Sequence, residues 1–233
     1  MRIVIVVALT ALAAALGGAQ PARAVDGCTP ASGDVRFRAA DGTHLVGHRF
    51  GSGTTAVVLV HQSDGNLCQW VPYARRLSRL GYLALAVDLR GYGASQVRHY
   101  PANQRLVGDV AAAVREARAL GARKVFLLGA SLGGSAVVAA AANTRPPVAG
   151  VISVSGSADL VDALASARRV RVPALLLAAT GDRDFAPDVA RLYTALGSSH
   201  KSRAVLPGYE HGVQLVAASK RARGLIEAFL RSG

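Results

Sequence analysis

A series of short, nearly uninterrupted apolar runs separated by helix-like segments constrains this chain more than any other feature of its sequence. Residues 56–60, 83–87, 125–128, 148–154, 174–179 and 203–206 read as strands. Runs that are apolar on both faces suit the interior of a parallel sheet covered by helices on each side. Helical spacing appears between them at 69–80, 104–120, 132–143, 158–167, 188–196 and 213–231; in the first, Trp70, Tyr73, Leu77 and Leu80 share one face. Ahead of these lie two alternating stretches, 35–39 and 43–50, divided by the hairpin signal Asp41-Gly42. The expected fold class is therefore α/β: a mostly parallel, eight-stranded twisted sheet with an N-terminal antiparallel hairpin and helices on both faces.

The 233 residues are 51% apolar, enough to bury a core, and no repeat or linker divides them, so one domain over 25–233 is expected. Residues 1–24 read as a signal peptide: Arg2, an apolar run over 3–18, and Ala22-Arg23-Ala24 as a cleavage site, with the cut after Ala24. A retained anchor and a lipid-modified Cys28 are the alternatives. The apolar run is shorter than the roughly 20 residues of a spanning helix. Export to the cell envelope or medium would place Cys28 and Cys68 in an oxidising compartment, where a disulfide between them is expected.

The chain carries a formal charge of +13. Without Arg2 and Arg23 there remain 25 basic residues against 14 acidic, or +11. Nearly all of the excess is arginine spread along helix-like segments, which reads as a solvated basic surface with at most a weak attraction to anionic surfaces. No nucleic-acid-binding motif is present, so no nucleic-acid partner is expected. No spacing of metal ligands is present either.

The strongest local signal is Gly129-Ala130-Ser131-Leu132-Gly133, directly after one strand and directly before an alanine-rich helix. A nucleophile on so sharp a turn needs glycines on either side to let neighbouring chain pack close. The turn would lift the Ser131 hydroxyl above the sheet, with the Leu132 N–H as an oxyanion donor. A serine needs a base, and His211, in a loop after the last strand, is the best placed of the six histidines. The base needs an acid: Asp182 and Asp184 both follow the strand 174–179, Asp184 is favoured for its reach, and Asp159 stands as an outside candidate.

These residues resemble the α/β-hydrolase family, in the order Ser131, Asp184, His211, over nearly all of 35–231. Val57-Val58-Leu59-Val60-His61 resembles its third strand and oxyanion loop. Asp88-Leu89-Arg90-Gly91-Tyr92-Gly93-Ala94-Ser95 is similar to the segment after its fourth strand, and the loop from Thr180 to the family's G-x-x-D acid, here Asp184. The resemblance implies Ser63 as the second oxyanion donor, with Gln62 the alternative, because Gln62 stands where the family usually has glycine. His61, Asp88 and Arg90 are expected to order loops. With room for one helix between the sixth and seventh strands, the site should be rather open.

The implied function is cleavage of carboxylic esters, small-molecule or lipid-like, through an acyl-enzyme and without a cofactor. A peptidase or other acyl hydrolase with the same triad is the first alternative. An exported binding module that has lost activity is the second.

Overall fold

A computed structural model describes residues 27–95 and 103–233. The expected signal peptide lies outside the described residues. The strands are β1 (Asp34–Arg38), β2 (His44–Phe50), β3 (Thr55–Val60), β4 (Leu83–Asp88), β5 (Lys124–Ala130), β6 (Gly150–Val154), β7 (Ala174–Ala179) and β8 (Lys201–Leu206). The helices are α1 (Val71–Arg79), α2 (Asn103–Ala119), α3 (Leu132–Asn143), α4 (Ala163–Ala167), α5 (Ala186–Ala195), α6 (Val213–Ala218) and α7 (Lys220–Ser232).

The eight strands form one sheet in the order β1-β2-β4-β3-β5-β6-β7-β8. β1 and β2 form an antiparallel hairpin, and β2 also runs antiparallel to β4. Every other neighbouring pair is parallel. Successive side chains of each central strand go to opposite faces. Val58, Leu85, Leu127 and Leu176 pack beneath α2 to α5, whereas Val57, Leu59, Phe126, Leu128 and Leu177 pack beneath α1, α6 and α7. Two cores sandwiching one sheet explain why those strands are apolar at every position. Because β3 and β5 to β8 are parallel, their carboxyl ends share one rim, and the loops leaving it can meet there.

Two expected helices differ from the observed ones. The stretch 158–167 keeps only α4, because Val161 and Asp162 take left-handed conformations with φ of 56° and 52°. The stretch 213–231 is broken at Ser219, which is extended and whose side chain accepts the Ala222 N–H to cap α7. Between β6 and β7 the only helix is α4, so no large cap is inserted there.

Arg90 fastens the segment after β4. Its guanidinium forms a buried pair with Asp109 of α2 and reaches Asp41 in the β1–β2 turn. Asp88 accepts the N–H groups of Leu67 and Ala94. Both are ordering roles, as expected. Cys28 and Cys68 form a disulfide, which ties the chain ahead of β1 to the 3-10 turn Leu67–Trp70 after β3.

Candidate active site

Ser131 stands between β5 and α3 with φ 51° and ψ −119°, a left-handed conformation that costs a non-glycine residue roughly 1–3 kcal/mol. The surroundings enforce it. A Cβ on Gly129 would run into the carbonyl of Gly133, and one on Gly133 into the carbonyls of Val60 and His61. The serine N–H is held by the Val154 carbonyl at 2.9 Å, fixing the turn to the end of β6. Leu132 opens α3, where an N–H has no acceptor within the helix.

His211 arrives from the loop after β8. Its Nδ1 lies 3.0 and 3.1 Å from the two carboxylate oxygens of Asp182. The expectation that Asp184 partners His211 is thereby corrected. Asp182 sits in the first turn beyond β7, its N–H bonded to the Ala179 carbonyl and its own carbonyl accepting from Phe185 and Ala186. That turn holds its carboxylate, buried, at the sheet rim. Asp184, two residues on, is exposed at the start of α5. Asp159 is also elsewhere, paired at the surface with Arg191.

The histidine loop is fitted against the serine turn. The Gly212 N–H donates to Ser155 Oγ at 3.0 Å, and Ser155 directly follows the Val154 that holds Ser131. A Cβ on Gly212 would lie 3.3 Å from that of Ala130 and would collide with the end of the Gln62 side chain, so a larger residue here would have to displace Gln62 and adopt a strained φ of 55°. Asp182 thus engages Nδ1 of the imidazole, and Nε2 makes no hydrogen bond among the described residues.

Gln62, Phe185 and Ser155 are site residues whose parts the sequence did not disclose. Gln62 Oε1 accepts the Val213 N–H, its Nε2 donates to Asp64, and its own N–H is taken by Gln69 Oε1 at 3.0 Å. The Gln62 N–H is therefore occupied. The N–H groups of Ser63 and Leu132 have no acceptor among the described residues. The Phe185 ring packs 4.2 Å, centroid to centroid, from the His211 imidazole. The hydrogen bonds from Gln69 and Gln62 hold the Asp64 carboxyl below the usual range.

His61 has the ordering role expected of it. It is fully buried; its Nδ1 bonds to the Gln62 carbonyl at 2.6 Å and its Nε2 accepts the Leu89 N–H at 3.1 Å. Burial pushes its pKa down to about 4, so it stays neutral and joins the loop after β3 to the loop after β4.

No group of three or more His, Cys, Asp or Glu that could hold a metal occurs among the described residues. No helix among them is long and apolar enough to cross a membrane.

Comparisons with known proteins agree with this architecture. Residues 52–163 match a family model described as serine aminopeptidase, S33. That match includes the Ser131 turn and ends before Asp182 and His211. An uncharacterized protein of Salmonella typhi, YfhR, is 34% identical over 131 residues, covering 52% of this chain and 44% of that protein. The chain thus spans less than half the length of this relative. An esterase of Pyrococcus furiosus superposes with a TM-score of 0.73 at 15% identity, over 85% of this chain and 91% of that one. A monoacylglycerol lipase of Paleococcus ferrophilus does so with a TM-score of 0.69 at 19% identity, over 81% and 99%.

Proposed function

We propose that this chain, whose fold is that of the α/β-hydrolases, is a serine hydrolase cleaving carboxylic esters through Ser131, His211 and Asp182. The observation that carries the reading is the pairing of a strained serine at the end of β5 with a histidine–aspartate pair reaching the same rim from β7 and β8. Strain at a single serine at the end of a central strand is the kind of feature that stability alone does not explain. The esterase and lipase with which the fold superposes support the ester over other acyl bonds.

In this mechanism His211 Nε2 takes the proton from Ser131 Oγ as the oxygen attacks the ester carbonyl. Asp182 holds Nδ1 as the donor and stabilises the imidazolium that forms. The carbonyl oxygen gathers negative charge between the N–H groups of Leu132 and Ser63, both of which are unspent. His211 then returns the proton to the alcohol as it leaves. Water attacks the acyl-enzyme by the same route, freeing the acid and Ser131. No step calls for a cofactor.

A second reading, hydrolysis of an N-terminal peptide bond, is favoured by the description of the matched family model. Attack on amide and ester begins identically, so substrate decides. A series of p-nitrophenyl esters of increasing chain length is to be run beside an aminoacyl p-nitroanilide on wild type and Ser131→Ala. Ester turnover that falls by several orders of magnitude in Ser131→Ala supports the proposal; turnover kept in that variant removes it, and a preference for the anilide selects the second reading.

Export is part of the same proposal. The disulfide is compatible with an oxidising compartment, and detection of a mature N-terminus at Val25 in the extracellular or envelope fraction would establish it.

A further inference from the structure

Behind the oxyanion and histidine loops, a cavity of about 200 Å³ lies between α1 and α6. Pro72 and Tyr73 of α1 and Val213, Val216 and Ala217 of α6 give it apolar walls, and the guanidinium groups of Arg76 and Arg223 border it. An apolar cavity of roughly 150 Å³ already accepts a benzene molecule, so this one has room for a small organic body.

The two arginines have hydrogen-bonding capacity left. Arg76 spends Nε and Nη2 on Glu227, leaving Nη1. Arg223 spends Nη1 on the carbonyls of Val216 and Ala217, leaving Nε and Nη2. No carboxylate belongs to the lining itself. Glu227 already balances the charge of Arg76, whereas Arg223 has no salt bridge among the described residues, so one unbalanced cation and the free Nη1 of Arg76 stand beside the apolar chamber and complement an anion that carries its own apolar tail.

We propose that this cavity is a binding site for a small carboxylate with an apolar body of about six to eight carbons. The tail lies against Tyr73, Val213 and Val216, and the carboxylate meets Arg76 and Arg223. The site is separate from the serine, and the proposal does not rest on the serine-hydrolase reading. It does touch the same machinery, since α6 begins directly after Gly212 and the Val213 N–H is the group that Gln62 holds.

The test uses hexanoate and its neutral counterpart hexanol, followed by saturation-transfer NMR on the intact protein. Trp70, the only tryptophan, lies 6.2 Å from Tyr73 between ring centroids, so its fluorescence reports occupancy of this place. Hexanoate is expected to bind about tenfold more tightly than hexanol and to alter Trp70 emission. Ala217→Phe, at an exposed position in the lining, fills the chamber and abolishes both signals while the melting temperature stays unchanged. Ser131→Ala binds hexanoate as wild type does.

Absence of hexanoate binding, equal binding of hexanol, or undiminished binding in a folded Ala217→Phe variant overturns the proposal. So does loss of binding in Ser131→Ala, which would place hexanoate at the serine instead.

Discussion

The side-chain oxygen of Gln62 accepts the backbone N–H of Val213 at 2.5 Å, joining the loop after β3 to the loop that carries His211. A residue that departs from the family's usual glycine is thus the clasp between the two halves of the candidate site. Restoring glycine is expected to damage rather than improve it. Gln62→Gly leaves the buried Val213 N–H without its acceptor, at a cost of roughly 1–3 kcal/mol, and frees His211 to wander. Esterase kcat should fall about tenfold or more. A variant as active as wild type would show that the clasp is irrelevant to turnover.

Asp182 and Asp184 make opposite predictions although they stand two residues apart. Asp182→Asn removes the carboxylate that faces His211 Nδ1, and kcat should drop by about 10³ to 10⁴-fold, as when an acid of this kind is neutralised elsewhere. Asp184→Asn changes an exposed side chain and should leave the rate within about threefold. Steady-state kinetics on the two variants decide between them, and the reverse pattern would reinstate Asp184.

The strained serine should be visible in stability. Ser131→Gly relieves a left-handed conformation at φ 51°, and the gain is expected to be about 1 kcal/mol, or roughly 2–4 °C in melting temperature. Ser131→Ala keeps the strain and should not share that gain. Urea titrations of both would reveal it; equal stabilities would mean that the turn holds no strain.

His61 predicts an acid sensitivity. Its pKa is about 4 in the folded chain against 6.5 when free, so between those values the unfolded chain binds a proton that the folded chain refuses. Stability contributed by neutral His61 is complete above pH 6.5 and declines as pH falls toward 4, by on the order of 2–3 kcal/mol in total. Urea midpoints at pH 7.5, 5.5 and 4.5 should fall less steeply in His61→Asn than in wild type. Parallel declines would assign the acid sensitivity to other groups.

The central strands were legible because burial on two faces leaves an unambiguous mark, and 174–179 was read to the residue. The serine turn was equally legible, since its glycines are forced by backbone contact. Helix ends were less so. Nothing periodic announces that Asp162 turns left-handed before α4, or that Ser219 stops one helix and caps the next. The acid was misread for a physical reason: Asp182 and Asp184 share one short turn, and which carboxylate faces inward depends on how that turn hydrogen-bonds back to Ala179. Gln62 looked like a defect in a motif because its partner, Val213, lies 151 positions away.

The two outermost strands give the arginine-rich composition a use. β1 reads Asp-Val-Arg-Phe-Arg and β8 reads Lys-Ser-Arg-Ala-Val-Leu, so each outer strand carries two cationic side chains two residues apart, Arg36 and Arg38 on one and Lys201 and Arg203 on the other. A second molecule offering either margin for pairing would bring like charges into register along the seam, and that repulsion guards an otherwise sticky backbone against growing into fibrils.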